Sequence, residues 1–431
     1  MIPTTSDIRN AVLRQKQDVA ALFDALRAGS RVGDGVTRDC YGPGEEFAHQ
    51  LIAAHAAAMG LETRRDHAAN LFMTLAGSNR TAPRLMTGSH LDSVGNGGNF
   101  DGAAGVIAGL VASKGLQHLG LEPHCDITTV AIRAEESVWF QVSYIGSRSA
   151  FGVLPTGALE ARRVDTGRSL ADHMAECGAN IEAVRRGDAS LDAKSIKAFV
   201  ELHIEQSPQL IEAGLSVAIG TGVPGNFRYP AVKVLGEYAH VGLARRFRRD
   251  AVVAASELAL GLDDIWRRSD TAGRPMAFTI GRFHTDPREH ALTKVAGELT
   301  LSLDVRAHSA AHLAELESQL FDLAKAIASR RGVRFVFGER ASAEVAPSDL
   351  QLVGKLAECA AALGIVTMPL ASPASHDTAT FTVAGVPSAM LFVRNANGSH
   401  NPREAMEIDD FLDGASVLTA WLVGEAAHAS R

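Results

Sequence analysis

Five side chains able to hold a metal ion, His90, Asp101, Glu136, His203 and His400, each fall just after an apolar, strand-like run or at the mouth of a loop. Nitrogen and oxygen donors in this mixture suit zinc, manganese, cobalt or nickel. None is diagnostic alone. A single histidine after a strand is usually a satisfied structural side chain, and Glu135-Glu136 by itself reads as a solvated acidic pair. Together they point to a metal centre, because residues at the ends of separate strands can converge from distant sequence. Metal-assisted hydrolysis is the chemistry such a set performs.

The elements that must position these residues follow from the apolar patterning. Helical periodicity runs from Ala11 to Leu26 and from Glu45 to Met59, with a Gly-rich loop between. Short apolar runs Leu61 to Arg65, Leu71 to Leu75 and Arg84 to Thr87 read as strands, the last ending in Gly88-Ser89-His90-Leu91-Asp92. A Gly-rich loop then leads to a small-residue helix, Ala103 to Leu119, and to a strand, Ile127 to Ile132, ending at Glu135-Glu136. The strand Ala198 to Leu202 runs into His203-Ile204-Glu205-Gln206 in the same way. Strand, loop, helix, strand is the pattern of a mostly parallel α/β sheet, whose ligands gather beyond the carboxyl ends of its strands.

The pattern changes near Thr221-Gly222-Val223-Pro224-Gly225. Strands Ala231 to Leu235, Ala277 to Gly281 and Glu298 to Val305, with helices Asp250 to Trp266 and Ala310 to Arg330, suggest an inserted α+β unit. The α/β pattern is expected to resume with a strand Val333 to Phe337, a helix Ser348 to Leu363 and a strand Ser388 to Val393 running into Asn397-Gly398-Ser399-His400. The fold expected is therefore α/β: a mostly parallel mixed sheet flanked by helices over 1–221 and 332–431, with an α+β insertion over 222–331.

Composition bounds the function. A chain of 431 residues, 46% hydrophobic and 21% charged, is ample for more than one core. Its formal net charge of −7 offers no footprint for nucleic acid or an anionic membrane, and the basic run Arg245-Arg246-Phe247-Arg248-Arg249 reads as a solvated or interface face. Cys40, Cys125, Cys177 and Cys359 are scattered and read as reduced, mostly buried thiols. No basic segment followed by an apolar one opens the chain, and no apolar run spans a bilayer, so the cytoplasm is the expected location.

The segments Gly88-Ser89-His90-Leu91-Asp92-Ser93, Gly97-Gly98-Asn99-Phe100-Asp101-Gly102, Glu135-Glu136, Glu201-Leu202-His203-Ile204-Glu205-Gln206, Ser375-His376-Asp377 and Ser399-His400-Asn401-Pro402 resemble, in order and over nearly the whole chain, those of the amidase/hydantoinase/carbamoylase family. That family comprises N-carbamoyl-L-amino-acid hydrolase, β-ureidopropionase and allantoate amidohydrolase, within the dinuclear aminoacylase-like metallopeptidases. The resemblance implies a zinc-peptidase-like catalytic domain with an inserted lid and dimerisation domain. It also implies two divalent ions per subunit, zinc or manganese, cobalt or nickel. Asp101 would bridge them, His90 and His203 completing one site, Glu136 and His400 the other. A water shared by two dications loses a proton near neutral pH. Asp92 would accept the second N–H of His90 and fix its tautomer. Glu135, beside the ligand Glu136, would be the general base and acid.

For the substrate, the resemblance matches Arg306 to an arginine that pairs with a carboxylate, a task suited to a planar fork. It matches His240 to a histidine supplied across a homodimer to polarise the scissile carbonyl, and Gln206 to a pocket glutamine. The expected reaction is cleavage of the C–N bond of an N-carbamoyl-L-amino acid or a related ureido or N-acyl amino acid. Departures bear on the substrate. The usual Gly-Ala-Arg after the two glutamates is Ser137-Val138-Trp139, a family asparagine falls on Thr293, and a glycine falls on Ser375. Trp139 suggests a bulkier or more aromatic substrate. The alternatives are an aminoacylase or dipeptidase of the same superfamily, or a binding protein on this fold that has lost catalysis. A Rossmann oxidoreductase is set aside, because Gly95-Asn96-Gly97-Gly98 lacks the G-x-G-x-x-G spacing.

Overall fold

A computed structural model describes residues 3–427. The chain divides into two compact units, Met1–Val223 with Ser348–Arg431, and Pro224–Pro347. The first is built on a mixed sheet. Across it run, in order, Val217–Val223, Ser388–Val393, Ile196–Ile204, Arg84–His90, Ile127–Ile132, Leu71–Leu75 and Glu62–Arg65. Ser388–Val393, Ile196–Ile204, Arg84–His90 and Ile127–Ile132 are mutually parallel. Being covered on both faces, Ile127–Ile132 and Ser388–Val393 are buried at every position, which is why they read as continuous apolar runs. The outer strand Glu62–Arg65 is charged and exposed throughout, a composition that discourages edge pairing with another chain.

One helix, Ala103–His118, is apolar on nearly every side because it lies between the sheet and the C-terminal helix Ile408–Ala427. Its small residues allow a close approach: a Cβ on Gly105 would lie 2.2 Å from the carbonyl oxygen of Leu202 and 2.6 Å from the Cβ of Ser89. The helix start is thereby pressed against the two strands that end in His90 and His203.

Several expectations are refined. The helical stretch Ala11 to Leu26 is two helices, Thr5–Leu13 and Lys16–Ser30. At the break, the buried Gln15 turns its amide to the carbonyls of Ala11 and Val111, both at 3.0 Å. The strand Val217–Val223 was hidden by Gly220 and Gly222; it runs antiparallel to Ser388–Val393 and parallel to Thr367–Ala371. The helix at Ala251–Thr271 begins after the basic run, of which Arg245–Phe247 is a single 3₁₀ turn, and is capped by the Asp250 carboxylate.

The second unit has its own core under an antiparallel sheet. Gly225–Leu235 and Glu298–Ala307 form its long central pair, and the alternating burial of Glu298–Ala307 shows one face on the core and one outward. Helices Ala251–Thr271 and Ala310–Arg331 cover the inner face. Arg334–Val336, expected to resume the first sheet, pairs with Gly225–Leu235, so this unit reaches Pro347 rather than 331. A separate ribbon pairs Ala239–His240 with Lys294–Val295.

No helix among the described residues is long and apolar enough to cross a membrane. The four cysteines are free; Cys40, Cys125 and Cys177 are buried.

Gly88, two residues before His90, has φ +135°, and a Cβ there would lie 2.0 Å from the carbonyl oxygen of Val130 on the neighbouring strand. Gly88→Ala is expected to cost about 2 kcal/mol or more in denaturant unfolding; an unchanged midpoint would contradict this.

Candidate metal centre

His90 and His203 stand on neighbouring parallel strands, with ring centroids 5.7 Å apart, and both are buried. His90 turns Nδ1 to Asp92, 3.1 Å from its backbone carbonyl and 3.4 Å from its carboxylate, leaving Nε2 to face Asp101. Gly102, at φ +66°, opens the helix that follows; a Cβ there would come within 2.5 Å of the His90 ring. Glycine is required both for the turn and for the imidazole beside it.

Asp101 is the meeting point. Its Oδ1 lies 3.4 Å from His90 Nε2 and 3.2 Å from His203 Nε2, while its Oδ2 lies 3.5 Å from His400 Nε2. His400 Nε2 is also 3.1 Å from Glu136 Oε1. Two donor sets result, His90 with Asp101 and His203, and Asp101 with Glu136 and His400, each with its donor atoms within 4.8 Å of one another. His400 sits at φ +60° in a loop closed by paired backbone bonds between Ala396 and Ala405. A left-handed conformation at a non-glycine residue is strain that the surrounding loop must hold.

The Glu135-Glu136 turn is fixed from beneath. Ala134, at φ +53°, donates its N–H to the buried Glu45 carboxylate at 2.9 Å. Glu45 in turn pairs with buried Arg133 at 3.0 Å. Asp92 accepts the N–H groups of Glu135 at 3.1 Å and Glu136 at 2.9 Å. Asp92 therefore orients both, His90 through its carbonyl and carboxylate and the acidic pair through its carboxylate.

The electrostatics favour a cation. Burial opposes protonation of His90, yet hydrogen bonds to Asp101 and Asp92 lift it well above the usual imidazole value. The same balance, through Asp101, raises His203. Asp101, despite burial, is held well below the ordinary carboxylate range by His203 and His90. His400 is raised to about 9, chiefly by its hydrogen bond to Glu136. Carboxylates that raise the proton affinity of three imidazoles, two buried and His400 exposed, mark a site short of positive charge, and divalent ions fit that deficit with these donors. Glu135 is pushed well above its ordinary value by burial, with His90 opposing and the charge of Glu136 adding to the rise.

Other expected site residues are placed as follows. Gln206 donates to Asp101 Oδ2 at 2.9 Å, and its own Oε1 is buried without a partner. Trp139 is half-buried, its indole N–H bonded to the Ser93 carbonyl at 2.9 Å and its ring 4.7 Å beneath the Arg163 guanidinium. Ser375 is half-buried beside His376, which burial and His203 hold neutral. In the second unit, Arg306 donates to Asp304 through Nε and Nη2, both at 3.2 Å, which leaves its Nη1/Nη2 edge open. His240 is exposed, and Thr293 adjoins it on the ribbon, its carbonyl accepting the Val241 N–H at 2.9 Å.

Four contributors escaped the sequence. Cys40 lies 3.1 Å from Asp92 Oδ2, and Arg38, Ser399 and Glu404 hold the Asp101 loop. Ser399, inside the recognised motif Ser399-His400-Asn401-Pro402, was the most accessible of these, though the sequence assigned it no role.

The signature of peptidase family M20/M25/M40 matches residues 86–423. The chain is 34% identical over 410 residues to an N-carbamoyl-L-amino acid amidohydrolase of Geobacillus stearothermophilus, covering 94% of this chain and 97% of the relative. It is 32% identical over 397 residues to the allantoate amidohydrolase of Escherichia coli, covering 91% and 94%. Among solved structures it is similar to a hydantoinase/carbamoylase family amidase from Burkholderia multivorans, with TM-score 0.83, 26% identity and coverage of 95% and 98%.

Two outcomes are expected. Elemental analysis after dialysis should find Asp101→Ala depleted of both ions; wild-type content would refute a shared ligand. Because His400 rises from 6.5 to about 9, protons compete for it up to that pH, so the affinity of metal-stripped protein for Mn²⁺ should climb between these values. The same protonation stabilises the metal-free chain fully below pH 6.5 and is lost as pH passes about 9. An affinity flat across this window would contradict the assignment.

Proposed function

The chain belongs to peptidase family M20/M25/M40 and to its hydantoinase/carbamoylase amidases, and we propose that it hydrolyses a linear ureido compound bearing a carboxylate, such as an N-carbamoyl-L-amino acid, at a C–N bond. The observation that carries this reading is Asp101, whose two oxygens face two separate donor sets, with Glu135 next in sequence to a member of one of them. The named activities of the relatives supply the substrate class: N-carbamoyl-L-amino acids and allantoate both join a ureido group to a carboxylate.

His90, Asp101 and His203 would hold one divalent ion, and Asp101, Glu136 and His400 the other; when bound, such ions supply Lewis-acid polarisation of the carbonyl and the attacking water. Glu135 takes the proton of that water as it adds to the carbonyl carbon. As the C–N bond breaks, the carboxyl returns the proton to the departing nitrogen, which would otherwise leave as an unstable anion. Gln206 braces Asp101 at Oδ2. Arg306, held along one guanidinium edge by Asp304, is assigned to the substrate carboxylate on its match to the family arginine.

The second unit is read as the dimerisation domain, with His240 supplied to a partner subunit. Around His240, Tyr238, Val241, Leu243 and Leu292 expose apolar surface that a subunit contact would bury.

Glu135→Gln is expected to keep both ions and lose activity on N-carbamoyl amino acids by about 10³-fold; turnover near wild type would remove Glu135 from the chemistry. Across carbamoyl, formyl and acetyl derivatives of aliphatic and aromatic amino acids, mass spectrometry should find carbamoyl compounds cleaved fastest, with aromatic side chains favoured beside Trp139. Preference for acetyl compounds would point instead to an aminoacylase. Sedimentation should give a dimer; an active monomer would refute the role of His240.

A further inference from the structure

We propose that Glu404 and Ser399 form a clamp that sets the position of Asp101 Oδ2 and joins the Asp101 loop to the His400 loop, so that they are positioning residues for the Glu136/His400 half of the centre. This rests on the two-ion reading above.

Glu404 is 3% exposed, and among the described residues no arginine or lysine forms an ion pair with it, the buried Arg38 guanidinium acting on it only at longer range. Its carboxylate is spent instead on the backbone and on a hydroxyl. Oε1 accepts the N–H groups of Phe100 at 2.7 Å and Asp101 at 3.2 Å, and Oε2 lies 3.0 Å from the Ser399 hydroxyl. Ser399 Oγ in turn contacts Asp101 Oδ2 directly. Glu404 thus holds Asp101 twice, at the backbone and, through Ser399, at the carboxylate oxygen that faces His400. Because Ser399 precedes His400, the same contact ties the His400 loop to Asp101.

Two further features agree. Gly98 has ordinary negative φ, so no turn demands glycine there, yet a Cβ would lie 2.1 Å from Glu404 Cδ. The missing side chain makes room for the carboxylate. Fully buried Arg38 donates to the carbonyls of Asn99 at 3.3 Å and Asp101 at 3.4 Å and to that of Leu91 at 2.6 Å. The loop's N–H groups and carbonyls are therefore taken by two different side chains, which is how a short, irregular segment is made rigid enough to present a ligand. Asp101 Oδ1, by contrast, faces His90 and His203. Loss of the clamp should free Oδ2 more than Oδ1.

The test is Mn²⁺ titration of the metal-stripped full-length protein, followed by calorimetry, for wild type and the variants Glu404→Ala, Glu404→Gln, Ser399→Ala and His400→Ala, with thermal unfolding in chelator as the structural control. Wild type should bind two ions. Glu404→Ala and Ser399→Ala should weaken, by about tenfold or more, the binding event that His400→Ala abolishes, leaving the other near wild type. Glu404→Gln, whose amide oxygen can still accept the two N–H groups, should recover most of the loss. Should Glu404→Ala fail to fold, Ser399→Ala, a small change in a loop, decides the matter. Wild-type affinity for both ions in Ser399→Ala, or equal weakening of both events in step with a lowered unfolding temperature, would overturn the clamp. Fewer than two ions in wild type would instead overturn the reading on which it stands.

Discussion

A single buried carboxylate, Asp101, carries the organisation of this protein, because its two oxygens serve two sets of nitrogen and oxygen donors at once. Held among Asp92, Glu136 and Glu404, it would be costly to bury without compensating positive charge. In the metal-free chain the buried Arg38 guanidinium opposes its negative charge, and neighbouring carboxylates lift the proton affinity of His90, His203 and His400 above the ordinary value. A site whose carboxylates raise the proton affinity of the imidazoles around them is prepared for cations. Much of the nearby sequence can be read as the means of keeping Asp101 in place: Gly102 and Gly105 bring the helix down on the strands, Arg38 and Glu404 hold the loop, and Asp92 aligns His90 with the acidic pair.

The parallel strands explain how residues more than a hundred positions apart reach the same point. His90 and His203 end adjacent strands, Glu136 follows the strand beside His90, and His400 follows the strand beside His203. Each strand contributes length and direction, and each loop contributes only the last few ångströms. Where a loop must do more, it is strained: Ala134 and His400 both adopt positive φ next to or at a donor. That strain is stabilised by Glu45 beneath the first and by the closed Ala396 to Ala405 loop around the second.

The strands that carry donors were legible in the sequence, since burial on both faces makes them uninterrupted apolar runs followed by polar residues. The donors themselves were legible as a set and through their likeness to a family. What escaped was of two kinds. Val217–Val223 was masked by the glycines within it, and Arg334–Val336 was assigned to the wrong sheet, because a short apolar run does not disclose which strand it pairs with. Arg38, Ser399 and Glu404 were missed because a supporting side chain has no spacing rule; its role appears only when the loop it holds is seen in space. Gly98 was visible as part of a Gly-rich loop, but its purpose, room for Glu404, was not.

The central claim is that Asp101 bridges two ions. Anomalous diffraction from crystals of the manganese-loaded protein tests it most directly. Two peaks are expected about 3.5–4 Å apart, one beside His90 and His203, the other beside Glu136 and His400, with Asp101 contacting both. A single peak, or two peaks of which one lies out of reach of Asp101, would contradict it.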